Sequence, residues 1–220
     1  MAAIRTSLIM FVLLGASPVT SAVLKGSVRV PGSTAGTPPA RYVTRGGAPA
    51  ASHDSGSQER VAVVVERLDS LVPFTPVDPD TALIMAQEGT AFVPNLLVVP
   101  VGGVVSFPNH DPLFHNVFSY SSTKTFDLGR YPRGQSRDVT FDKPGIVRVF
   151  CEIHASMYAA IVVAGSPWYR LLQPDEPFEF DNLPAGHYKI LAVDPTGRFA
   201  DYDVTLTESD IQEVHLKLGT

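Results

Sequence analysis

Glycine and proline cut the apolar stretches of this chain into short lengths, and that punctuation restricts it to extended segments joined by turns. Val98-Val99-Pro100, Gly102-Gly103, Pro144-Gly145 and Leu183-Pro184-Ala185-Gly186 each pair a valine-, leucine- or proline-bearing end with a turn signal. Nineteen prolines and seventeen glycines in 220 residues favour many short strands over long helices, so an all-β fold is expected. At 45% hydrophobic and 18% charged, the chain can bury a core sufficient for one large domain or two small ones.

Periodicity of two locates the strands. Val23 to Val30 alternates, and the apolar run from Val61 to Val65 reads as a second strand. Between them, Pro31 to Arg60 is rich in Pro, Gly, Ser and Ala and reads as a mobile loop; a proline-rich connection spans Leu71 to Asp80. Asn95 to Val101, the Gly102-Gly103 turn and Val104 to Phe107 read as a hairpin. Arg137 to Phe141, a turn at 142–145 and Ile146 to Cys151 read as another, with Val147, Val149 and Cys151 on one inward face. Ala159 to Ala164 is the strand that closes this unit. Beyond Ser166, Phe178 and Phe180, then Tyr188, Ile190 and Ala192, then Val214, Leu216 and Leu218 mark inward faces of a second small β-domain. That unit is too short to be comfortable alone. The strands 23–30 and 61–65 are candidates to complete it, which would make the intervening unit an insertion.

Residues 1–22 have the form of a secretory leader: Arg5, the apolar stretch Leu8 to Leu14, and small residues ending in Thr20-Ser21-Ala22. The apolar stretch falls short of the roughly 20 residues that span a bilayer, and no other segment could span one. Export by the general secretory route to the periplasm or the exterior is expected, with cleavage after Ala22. The leader contains one charged residue, Arg5, so cleavage would take the net charge from −5 to −6. A mildly acidic chain without a basic stripe argues against nucleic acid as a partner.

A single cysteine is unusual in an exported chain, because compartments that permit disulfides usually give cysteines in pairs. Cys151 therefore has an intermolecular bridge, an inert buried thiol, a nucleophile or a metal ligand as its possible roles. The segment Cys151-Glu152-Ile153-His154-Ala155-Ser156-Met157 narrows these, because it sets a thiolate, an imidazole and a thioether on one short loop between two strands. Two histidines and a cysteine in a trigonal set with a weak axial methionine are the ligands of blue-copper electron-transfer centres. Zinc would accept the cysteine and histidines, but methionine at this spacing is not a zinc preference. A nucleophile activated by His154 is poorly served by a thiol turned inward beside valines. The fourth ligand must come from elsewhere in the chain.

Phe107-Pro108-Asn109 with Asp111, followed by His115-Asn116-Val117, resembles the first ligand segment of the cupredoxins, and Cys151-x2-His154-x2-Met157 resembles the short ligand loop of the amicyanins, whereas the plastocyanins have a longer gap before the methionine. The likeness covers roughly residues 85–165 and extends to exported cupredoxins of the methylamine-utilisation type. It implies a Greek-key β-sandwich holding one mononuclear type 1 copper. His115, Cys151 and His154 would be equatorial ligands and Met157 the axial one. Asn116 would stand behind them, its amide donating to the Cys151 sulfur and its side chain tying the two ligand segments together. His154 would be the electron portal, with Pro112, Leu113 and Ala155 as a docking patch for a redox partner protein. Phe178-Glu179-Phe180 and Leu183 to Tyr188 are similar to transthyretin-like domains, a fold hint without chemistry.

The expected organisation is a leader over 1–22, N-terminal strands and linker over 23–80, a copper-binding cupredoxin domain over 81–165 and a small transthyretin-like β-sandwich over 166–220. The expected function is one-electron transfer without transformation of a substrate, and copper storage or delivery is the alternative. Multicopper oxidases and copper nitrite reductases need added histidine clusters, and a dinuclear copper A centre needs two cysteines. Of the other histidines, His110 reads as an exposed loop residue, and His187, His215 and His53 as solvated. Glu152 and Asp111 read as surface charge.

Overall fold

The structure, a computed structural model, describes residues 21–31, 60–70 and 82–219. The expected leader, apart from Ser21 and Ala22, lies outside these residues, as do nearly all of the 31–60 stretch, His53 included, and the whole connection at 71–80. Regular structure is entirely β among the described residues. The strands are β1 (Ala22–Arg29), β2 (Val61–Arg67), β3 (Leu83–Ile84), β4 (Ala86–Glu88), β5 (Ala91–Val93), β6 (Leu96–Pro100), β7 (Gly103–Ser106), β8 (His115–Tyr120) and β9 (Thr125–Tyr131). They continue with β10 (Asp138–Phe141), β11 (Gly145–Phe150), β12 (Tyr158–Ala164), β13 (Tyr169–Leu172), β14 (Pro177–Leu183), β15 (Gly186–Val193), β16 (Phe199–Leu206) and β17 (Ile211–Lys217). No helix among the described residues is long and apolar enough to cross a membrane.

Among the described residues four sheets carry the architecture, with strand orders β14-β1-β17, β13-β2-β15-β16, β6-β12-β11-β8-β9 and β10-β7-β3; β4 and β5 form a separate hairpin. Three apolar layers lie between successive sheets. The first joins Leu24, Phe180 and Leu216 to Val63, Tyr188 and Ile190. The second joins Ala62 and Val64 to Leu96, Ala160 and Val162. The third joins Val99, Val149, Ile161 and Val163 to Val105, Val139 and Phe141. Strands β2 and β12 thus bury both faces, which is why each reads as a continuous valine- and alanine-rich run without strict alternation. Each valine or leucine so enclosed contributes roughly 1.5–3 kcal/mol of hydrophobic stabilisation.

The N-terminal strand β1 is the central strand of its sheet, antiparallel to β14 and parallel to β17. Gly26 permits this: a Cβ there would strike the Val214 carbonyl oxygen and come within 2.7 Å of the Phe178 ring. Strand β2 pairs with β13 and β15. Ala22, the last residue of the expected leader, opens β1 opposite Leu183 and is fully buried.

Two expected hairpins are not hairpins. Strand β6 hydrogen-bonds to β12, whereas β7, reached through Gly102, pairs with β10 and β3 in the facing sheet. Likewise β10 and β11, joined by the turn at 142–144, belong to opposite sheets. Each turn carries the chain across the sandwich. The reason is burial: Val99 and Val105, and Phe141 and Val147, all face the same core from opposite sides, an arrangement that two neighbouring strands of one sheet would not need.

Candidate metal centre

The expected inward face of β11 is present: Val147, Val149 and Cys151 are fully buried in the core between the two sheets of the sandwich. Cys151 lies just past the last hydrogen-bonded residue of β11, and its thiol is free. The loop after it folds back tightly, Met157 N–H donating to the His154 carbonyl at 3.0 Å and Cys151 N–H to the Met157 carbonyl at 3.2 Å. This returns Met157, also buried, to the core that holds Cys151. His115 begins β8, two strands away from β12 in the same sheet, and is fully buried.

Three donor atoms converge. His115 Nδ1 lies 2.9 Å from His154 Nδ1, and Cys151 Sγ lies 3.9 Å and 3.8 Å from those two nitrogens. These residues form a cluster able to hold a metal ion. The point equidistant from three atoms so spaced is about 2.1 Å from each, within the roughly 2.0–2.3 Å of imidazole and thiolate bonds to a first-row metal such as zinc. The residues fit one ion. One thiolate with two imidazoles suits copper in both oxidation states, and the cluster matches a mononuclear type 1 copper site.

The electrostatics keep the donors available. Burial, followed by the neighbouring His115, holds the His154 imidazole below the usual histidine range, while Asp111 pulls the other way. The neutral ring, the form that can bind a metal, is therefore favoured. Asn116, buried, accepts the Glu152 N–H on its Oδ1 at 2.6 Å, joining β8 to the residue after Cys151. Glu152 itself is exposed and pairs with Arg130, as expected of a surface charge.

Asp111 departs from expectation. It is 8% exposed, not a surface charge, and its Oδ2 lies 2.8 Å from His115 Nε2. It also accepts N–H groups from Gly89 at 2.6 Å and Thr90 at 2.9 Å. Burial alone would raise its pKa, but the Thr90 and Gly89 amides and His115 together outweigh burial and leave the carboxyl below its ordinary range. Sequence reading missed it because its amide partners lie some twenty residues upstream. The available signal was its place four residues before His115 in a Pro-Asn-His-Asp-Pro segment.

His110 is exposed and paired with Glu88, and His187 and His215 are exposed on strand faces. His154 is partly exposed, Pro112 and Leu113 are exposed, and Ala155 is half-buried. Sequence reading passed over Phe114, 58% exposed, and Ile153, 39% exposed, although they directly precede the two histidine ligand candidates.

No protein-family model matches the chain, and no curated protein does. Among solved structures it is similar to a copper-containing nitrite reductase from Thermus scotoductus SA-01, at 24% identity and a TM-score of 0.38 over 47% of this chain. The chain spans about a quarter of that protein, 26% of its length. It is similar to a reduced amicyanin variant at 21% identity and a TM-score of 0.36, over 46% of this chain and 97% of that one. It is also similar to a purple cupredoxin from Nitrosopumilus maritimus at 22% identity and a TM-score of 0.34, over 38% of this chain and all of that one (100%).

Proposed function

We propose that this protein is an exported blue-copper electron carrier of the cupredoxin type. The carrying observation is the convergence of one thiol and two imidazole nitrogens, all held by strands or a strand-closing loop, at separations that suit one ion. Copper bound there would supply a one-electron Cu(I)/Cu(II) couple. His115, Cys151 and His154 would hold it, with Met157 as the fourth and weaker donor. Burial of Cys151 among Val147, Val149 and Met157 keeps water from the thiolate. Asn116 fixes the distance between ligand segments through Glu152.

His154, the ligand with the most exposure, is the electron portal, and Leu113, Phe114 and Ile153 give it an apolar surround for a redox partner protein. No substrate is transformed in this reading. A delivery or storage protein would hold copper exchangeably, whereas His115 and Cys151 are sealed from solvent. The pairing of β1 and β2 with the C-terminal strands supports a transthyretin-like unit into which the copper domain, 81–165, is inserted.

The test is metal exchange against redox cycling on the copper-loaded chain. Slow loss to a competing chelator with rapid, reversible oxidation and reduction supports a carrier. Fast exchange contradicts it.

A further inference from the structure

The tip of the β4–β5 hairpin supplies no metal ligand, yet its backbone takes a conformation that needs an explanation. Gly89 and Thr90 have φ of 59° and 58°. Glycine takes this freely, but a β-branched threonine does so rarely, and such strain persists where surrounding contacts over-determine it. Here both N–H groups turn onto one acceptor: Gly89 N–H on Asp111 Oδ1 at 2.6 Å and Thr90 N–H on Oδ2 at 2.9 Å. The loop is braced from its other side as well, Asp111 N–H donating to Asn109 Oδ1 at 2.9 Å and Asn109 Nδ2 donating to the Leu113 carbonyl at 2.8 Å.

The carboxylate so clamped faces His115 Nε2 at 2.8 Å. An ionised carboxylate only accepts hydrogen bonds, so Nε2 carries the proton and Nδ1 presents its lone pair. That lone pair points into the triangle with Cys151 and His154. Without a fixed partner, a neutral imidazole would divide between two tautomers, one of which puts a proton where the metal belongs.

We infer that Asp111, clamped by the Gly89–Thr90 turn, is the positioning residue of the metal centre, holding His115 in the Nε2–H tautomer and strengthening Nδ1 as a donor. A carboxylate behind an imidazole ligand raises its basicity and favours the more highly charged metal state. The consequence for copper rests on the proposed function; the tautomer is a property of the metal-free chain and does not.

The experiment uses the full chain. Long-range nitrogen–proton NMR on metal-free protein reads the His115 tautomer, and Cu(II) affinity and reduction potential are measured on the same preparations. The wild type is expected to show Nε2–H. Asp111→Asn is expected to mix the tautomers, weaken Cu(II) binding about 10–100-fold, and raise the potential by about 59 mV for each tenfold by which Cu(II) loses more than Cu(I). Glu213→Gln, the same charge change on exposed β17, is expected to alter none of these.

Wild-type His115 protonated at Nδ1 overturns the inference with no variant needed, as does a folded Asp111→Asn protein with unchanged tautomer and affinity. Wild-type protein that shows Nε2–H, loses it in Asp111→Asn and binds no copper supports the positioning and refutes the copper reading. A blue wild-type protein with an unaffected Asp111→Asn variant does the reverse.

Discussion

His115 Nδ1 and His154 Nδ1 stand 2.9 Å apart although 39 residues separate them in the chain. Two neutral imidazoles that face each other nitrogen to nitrogen need a shared proton or a cation between them. With Cys151 Sγ as the third corner, the arrangement suits a cation. One donor comes from the start of a strand and two from the loop that closes another, so the sheet itself sets their spacing.

Asn116 is the link between those two segments. Asn116→Ala is expected to leave the Glu152 N–H without its partner, costing about 1–3 kcal/mol. Loosening Cys151 relative to His115 should also speed copper loss to a chelator. Thermal unfolding of the metal-free variant and chelator kinetics on the loaded one check the two halves separately.

The outer face of β12 tests the stacking of sheets. In an isolated two-sheet sandwich Val162 would face solvent, and Val162→Asp would change stability by no more than about 0.5 kcal/mol. Here Val162 is fully buried against the layer formed with Val64 and Leu96. An unpaired charge there is expected to cost about 3–5 kcal/mol, comparable to the roughly 2–5 kcal/mol for Ile161→Ala on the inner face. Denaturant melts of the two variants side by side decide it.

Alkaline pH should destabilise the fold through its tyrosines. Burial raises the pKa of Tyr131, Tyr158 and Tyr188 above the ordinary value of 10.0. The Tyr131 hydroxyl donates to the Phe107 carbonyl at 2.8 Å and accepts from Gln87. An unfolded chain releases these protons near pH 10 while the folded one keeps them, so stability is complete below pH 10 and falls as pH rises through the folded values. Melting temperature followed from pH 8 to 11.5 should drop past pH 10, and ultraviolet titration should show tyrosines that ionise only on unfolding.

What could be read from the residues was whatever a period of two encodes. Val147, Val149 and Cys151 share a buried face, and so do Tyr188, Ile190 and Ala192, because alternation alone decides which side of a strand each occupies. Partner choice is another matter. Gly102 and the turn at 142–144 announce a reversal, yet the same reversal serves a hairpin or a crossing to the facing sheet, and the valines on either side suit both. The pairing of β1 with β14 and β17 is equally silent locally, since its hydrogen bonds are made to residues near the far end of the chain.

The metal centre divides along the same line. Cys151, His154 and Met157 are close in sequence and so could be recognised together, and His115-Asn116 follows from the resemblance. Asp111 carries only the weak signal of standing four residues before His115, because a carboxylate in a proline-bearing loop has the composition of a surface. Its burial depends on two amides contributed by the hairpin at residues 89 and 90.

The cluster of Cys151, His115 and His154 suits one copper ion. Titrating metal-free protein with Cu(II) while recording the visible spectrum tests it most directly. An intense thiolate-to-copper band is expected, saturating at one equivalent and absent from Cys151→Ser. A titration with no such band, or the same band in Cys151→Ser, would contradict it.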